Sequence, residues 1–226
     1  MADKKTEEKE TAIDKLNDNL GSASQKVMEN KKTIMWVLFG IAIVAAFVIS
    51  YLFIYRNPRL QHAAEEYNQV EIKAQGNDSI AAIEYKKVAD TYHGSDAGKL
   101  AALSAGEAYY NLGKYKEAAK YLEQADIDEP VLKVNAIILT GDCYVNLKDY
   151  QKALDCFEKA VKKAGKNEQI VPRVLLKEAN IYDEQKKYDK ALQCYQTIKD
   201  EYPNFAPGNG MTIDAFIARE NARLGK

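Results

Sequence analysis

From Ile34 to Tyr55 the chain runs through twenty-two residues without a charge, IMWVLFGIAIVAAFVISYLFIY, and on both sides of this run the pattern changes completely. At 1.5 Å per residue a helix of this length reaches about 33 Å, enough to cross the hydrocarbon core of a bilayer. The run therefore predicts one transmembrane helix, residues 34–55. Trp36 stands near one end and Tyr51 and Tyr55 at the other, where amphipathic rings favour the headgroup layers, and Lys31, Lys32 and Arg56 close the flanks. A cleaved signal peptide would have a shorter apolar part and a shorter leader than residues 1–33, so the run reads as an uncleaved anchor. Lys15, Lys26, Lys31 and Lys32 before it, against Arg56, Arg59 and Lys73 after it, place the leader in the cytoplasm and residues 56–226 on the far side. Within the leader, Ile13, Leu16, Leu20, Ala23 and Val27 alternate spacings of three and four, the seam of a short amphipathic helix lying on the membrane or of a disordered arm.

Beyond residue 58 no stretch alternates with period two. The chain instead repeats itself at a spacing in the mid thirties. The segment SAGEAYYNLGKYKEAAKYLEQADIDEP carries Gly106, Tyr109, Gly113, Tyr115, Ala118, Leu122, Ala125 and Pro130. The same offsets return as Gly141, Tyr144, Lys148, Tyr150, Ala153, Phe157 and Ala160, and again as Ala179, Tyr182, Lys186, Tyr188, Ala191, Tyr195, Ile198 and Pro203. A divergent copy precedes them, with Ala81, Tyr85 and Val88 at second-helix offsets, and Met211 to Leu224 reads as a closing helix. This pattern resembles the tetratricopeptide repeat, a pair of antiparallel helices, and the resemblance implies an all-α solenoid. The expected units are about 59–92, 99–130, 134–165 and 172–203, with a cap at 211–224. Gly106 is expected to face Ala118 where the helices cross closely, with Tyr109 and Leu122 filling the wider part. Lys148 and Lys186 depart from the family, which usually has glycine there, and the unit spacings are 35 and then 38 residues.

Charge and chemistry narrow the function. The leader balances seven lysines with seven acids and the whole chain carries a formal charge of −1, so no electrostatic footprint for nucleic acid exists. There is no phosphate-cradling glycine loop, no HExxH and no GxSxG, which argues against an enzyme, a cofactor or a small-molecule substrate. Cys143, Cys156 and Cys194 are odd in number, form no CxxC and lie far from His62 and His93, so neither a zinc site nor a disulfide framework is expected. Each lies in a helical pattern, as a small buried hydrophobe does. The repeated tyrosines sit at packing positions, and the sequon Asn77-Asp78-Ser79 is discounted.

What remains is binding of proteins or peptides. Helical spacing places Leu103, Glu107, Tyr110 and Asn111 along one face of the first helix of a pair, followed by Ile138, Asp142, Val145 and Asn146, then Leu176, Asn180, Asp183 and Glu184. An aliphatic residue opens each set and polar or acidic groups follow, a lining suited to a peptide with apolar anchors and basic flanks. With Arg173 and Lys177 as its basic members, this face does not suit a repeat that clamps a peptide carboxylate.

The layout of charged leader, single span and four repeat units resembles the bacterial ancillary SecYEG translocon subunit family over nearly the whole chain. The resemblance implies a single-pass inner-membrane protein whose periplasmic repeats stand beside the translocon, with translocon subunits, exported chains and periplasmic chaperones as partners. A scaffold for envelope or cell-division assembly is the alternative of a different class. A receptor with its repeats in the cytosol is the alternative topology.

Overall fold

The computed structural model describes residues 31–208 and 210–226, and all regular elements among them are helical. The amphipathic seam expected in the leader lies outside the described residues. The chain divides into two compact units, Met1–Pro58 and Arg59–Lys226.

In the first unit helix α1 (Lys31–Ser50) passes into a π-helical segment, Tyr51–Arg56, and neither buries a residue. Trp36, Phe47 and Ile54 are more than 70% exposed. Among the described residues no apolar neighbour shields this helix, and its long side chains face outward all round. The helical stretch Lys31–Lys73 contains a window of mean hydropathy 2.8 and is long and apolar enough to cross a membrane.

The second unit is an α-solenoid. Its helices are α2 (Asn57–Lys73), α3 (Asp78–Thr91), α4 (Asp96–Asn111), α5 (Tyr115–Gln124), α6 (Pro130–Asn146), α7 (Tyr150–Ala164), α8 (Val171–Glu184), α9 (Tyr188–Glu201) and α10 (Ile213–Arg223). From α3 onward each helix packs on the next in sequence. Helix α2 is held through larger side chains, with the rings of Tyr67 and Tyr85 5.3 Å apart. The starts are chemically marked. Asn77 accepts from the backbone N–H of Ile80, Ser95 from that of Gly98 and Thr212 from that of Ala215. Pro130 opens α6 behind Glu129, whose carboxylate accepts from the Val131 and Leu132 N–H groups. The Asn77 side chain is thus occupied as a helix cap.

Where the pairs turn, Gly113, Lys148 and Lys186 all take left-handed backbone, at φ of 71°, 61° and 59°. The following N–H, of Lys114, Asp149 or Lys187, donates back to the carbonyl of Tyr109, Tyr144 or Tyr182 at 2.8–2.9 Å, closing the helix end in the same way each time. The two lysines therefore bear a backbone strain that glycine would not. Lys186→Gly is expected to stabilise the unit by about 0.5 kcal/mol, read as a raised thermal midpoint. Lys148→Gly should gain less, because the Lys148 Nζ also donates to Glu184 at 2.7 Å.

The core corrects one expectation. Gly106 does not simply meet another small residue: a Cβ built on it would lie 2.6 Å from the Cγ of Leu122, and one on Gly141 would lie 2.5 Å from the ring of Phe157. The small position of the first helix is a socket for the large residue of the second, so small receives large. In the fourth unit Ala179 and Tyr195, both fully buried, share one cluster with Ile198, Ile213 and Phe216.

Candidate interaction surface

Helices α4, α6 and α8 carry the twelve residues expected to line a groove, and the structure sorts them into three roles. Leu103 is buried with 8% of its surface exposed, so it is a packing residue and offers no apolar anchor; helical spacing alone had placed it on the lining. Ile138, Val145 and Leu176 are half-buried against the core, and Tyr110 is half-buried with its ring 5.5 Å from that of Tyr115. Glu107, Asn111, Asn146, Asn180 and Glu184 are exposed.

Several of the polar members are engaged with residues about one repeat away. Asn111 donates to Asp78 at 3.2 Å, Lys177 donates to both carboxylate oxygens of Asp142 at 2.8 and 2.9 Å, and Lys148 donates to Glu184. The Tyr67 and Ser104 hydroxyls lie 3.4 Å apart. These links span 33 to 37 residues, one structural period each, and together they form a polar ladder between neighbouring repeats. Asn146 instead donates to the backbone carbonyl of Asp142 in its own helix. Burial raises the Asp142 carboxyl above its ordinary value, and the Lys177 bond offsets this only in part.

At the last rung the cap helix α10 fills the place of a partner. Arg219 pairs with Asp183 and also donates through Nε to Glu220 at 2.6 Å, while Arg223 donates to Asp183 at 3.2 Å and to Glu220 at 3.1 Å. The Arg219 guanidinium lies 5.0 Å from the Phe216 ring centre, and that ring stacks on Tyr195 at 5.0 Å. Asp183, expected in the groove, is thus held by the chain's own arginines. Burial raises its carboxyl, with the like charge of Glu220 adding to it. Glu220 is fully buried; burial alone would raise its carboxyl, but the hydrogen bonds it accepts from Arg219 and Arg223 outweigh this and hold it below its ordinary value. Sequence reasoning missed Arg219 and Arg223. Their signal was present, two arginines four residues apart on a short helix three residues past a phenylalanine.

Other reactive groups are muted. The thiols of Cys143, Cys156 and Cys194 are free, and burial pushes them up to about 12, 11 and 12, so they remain protonated at neutral pH. Among the described residues no group of three or more His, Cys, Asp or Glu side chains could hold a metal ion.

Glu178 on α8 is the exception. Burial first, then the charge of Glu158, pushes its carboxyl up to about 7. A raised acid holds its proton longer when folded, so the folded state loses stability as pH rises from about 4.5 to about 7 and is level above that. Glu178→Gln is expected to be about 2 kcal/mol more stable than the parent at pH 8 and equal to it near pH 4.5. Thermal unfolding across this range reads the difference.

This geometry defines a class: a tetratricopeptide-like α-solenoid, a type of fold that serves as a protein-interaction module and is typically non-catalytic. The chain belongs to the family described as the tetratricopeptide repeat protein 21 N-terminal ARM repeat, which matches residues 62–221. It is 33% identical over 114 residues to an uncharacterized protein of Aquifex aeolicus (strain VF5), a match covering 50% of this chain and 63% of that relative's length. Among solved structures it is similar to the crystal structure of the MamA protein, at 20% identity and a TM-score of 0.54, covering 74% of this chain and 83% of that one. A second crystal structure of MamA is matched at 21% identity and a TM-score of 0.52, covering 68% and 82%. At these identities the likeness is one of fold.

Proposed function

We propose that the protein is a single-pass anchor of the bacterial inner membrane that presents a repeat solenoid in the periplasm and assists chains at or near the translocon, handing them to periplasmic chaperones. The observation that carries this reading is the pairing, in one chain, of a bilayer-length apolar helix with a repeat fold of the protein-binding class. A span would tether the solenoid to the membrane, and the solenoid would supply a long face for transient contacts with extended or helical segments. The positive residues before the span orient the leader inward. Affinity would come from half-buried apolar groups such as Ile138, Val145 and Leu176, with exposed Asn146 and Asn180 setting register.

Photo-crosslinking in cells, from one probe at Asn180 and another at Ile43, tests the proposal. Translocon subunits captured from Ile43, with exported chains or chaperones captured from Asn180, are the expected outcome. Adducts confined to envelope-assembly or division proteins would replace the translocon by a scaffold role. Protease protection of sealed vesicles reads the topology: a solenoid cleaved from the cytoplasmic side overturns its periplasmic placement.

A further inference from the structure

Helix α10 packs on α9 as α8 packs on α7, in the place where the first helix of a further pair would stand. It is held lightly. It buries three residues, Ile213, Phe216 and Glu220, where α4, α6 and α8 bury eight, five and five, and one of its three is an acid. At 11 residues it is also too short to persist as a helix once off its seat. The segment before it is loosely packed: Tyr202, Asn204 and Phe205 border a cavity of about 690 Å³ together with Glu168 and Arg173 at the start of α8. Beneath α10 the seat itself is built. The fully buried Tyr195 stacks on Phe216 at 5.0 Å, Asp183 takes both arginines, and the Tyr188 ring centre lies 5.0 Å from the Arg223 guanidinium. The Lys199–Asp214 pair, at 2.7 Å, sets the start of α10 beside the end of α9. There Asp200 and Glu201 are exposed and, among the described residues, form no ion pair.

Deepening the binding role proposed above, and resting on it, we propose that α10 is a lid supplied by the chain itself, and that its seat on α8 and α9 receives a basic amphipathic helix of another protein when the lid lifts. The entering helix carries an aromatic residue with arginines three and seven positions later, as Phe216, Arg219 and Arg223 stand in α10. It also carries basic residues in the turn before the aromatic, which answer Asp200 and Glu201. That second feature lets it replace the lid, since between Met211 and Phe216 this chain offers an acid, Asp214, and no cation. A second copy gains nothing by the exchange: its α10 makes the same contacts and forgoes the tether that keeps the chain's own α10 at a high local concentration. Because the seat is open only while α10 is off it, the apparent affinity of the partner is scaled down by the fraction of chains that are open.

Two measurements on the full chain in detergent micelles test this. Amide hydrogen exchange on the unaltered chain reads the lid: the amides of α10 are expected to exchange about tenfold faster than those of α8 and α9, through an opening that leaves the repeats folded. Equal rates would mean that α10 opens only with the whole unit, and overturn the proposal. Fluorescence anisotropy reads the seat, with a labelled synthetic peptide of residues 211–226 as probe. It is expected to bind the double variant Phe216→Ala with Arg219→Ala, whose own lid is loosened, about tenfold more tightly than the parent, and Asp183→Asn added to that variant should remove the gain. Melting curves establish that the variants are folded. Equal binding by parent and double variant, or a gain that survives Asp183→Asn, places the peptide elsewhere and sinks the idea. A lysine-rich turn added to the peptide before Met211 is expected to tighten binding about threefold, an effect that Asp200→Asn with Glu201→Gln cancels. No tightening rejects the basic partner, and a parent dimer in sedimentation that Asp183→Asn dissolves gives the seat to a second copy instead. Adducts from Asn180 in cells, without binding of either peptide to the loosened variant, would reject this inference alone. Absence of adducts at both cellular probes would reject the broader reading as well.

Discussion

Replacing Glu220 by alanine is expected to destabilise the solenoid by about 3 kcal/mol, the low end for breaking a buried ion pair. Glu220 is fully buried, and like Asp183 it accepts from both Arg219 and Arg223. Without it two arginines share Asp183, and the side-chain space beneath α10 is left empty. The arginines are themselves 34% and 39% exposed, so water recovers part of their loss and keeps the effect below the upper range for such pairs. Glu220→Gln keeps the shape and should cost about half as much. The loss should also be local. Proteolysis of the segment between α9 and α10 should accelerate before the rest of the solenoid opens. Because the Glu220 carboxyl is held below its ordinary value, its contribution is present above the ordinary carboxylate range and disappears as pH falls through that lowered value. In Glu220→Gln that acid-induced loss should be absent, and a melting series from pH 3 to pH 7 compares the two.

Gly98→Ala is the second large change, with an expected cost of about 3 kcal/mol. A Cβ at this position would lie 2.1 Å from the backbone oxygen of Tyr92 and 2.7 Å from its carbon. Both are main-chain atoms, so no side chain can rotate aside. The carbonyl oxygen of Tyr92 is moreover committed, accepting from the Ser95 hydroxyl at 2.7 Å and from the Ser95 N–H at 3.0 Å. Relief therefore requires the start of α4 to move, which strains the Ser95 cap and the close packing of α3 on α4. Gly106→Ala should be milder, since the nearest atom there is the Cγ of a leucine that can shift. Thermal unfolding of the two variants side by side gives the order.

The helical repeats were legible because their signals are local. Aromatic and small residues recur at fixed offsets, prolines sit near helix ends, and the turn positions 113, 148 and 186 align even where lysine replaces glycine. The pairing inside a unit was misjudged for a physical reason: periodicity says which residues face inward, but not which inward residue meets which. Gly106 and Leu122 meet because the glycine leaves room for the leucine side chain, and that is a matter of depth that spacing does not encode. Leu103 failed in the same way, since the width of a helix's buried face depends on how many neighbours cover it. The links at Asp142 and Asp183 were beyond reach of the pattern, because each joins residues more than thirty apart whose register is set only once the helices have packed.

The latch between α8 and α10 gives the chain a direction in time. Asp183 is made 36 residues before Arg219 and 40 before Arg223. While the chain is still emerging, its last pair ends in an acid without its counter-charge and in the uncovered ring of Tyr195. Only helix α10 neutralises the one and covers the other. A chain cut short before Ile213 would carry every repeat and still end in a sticky, unfinished edge, so the arrival of α10 is what seals this side of the last helix pair.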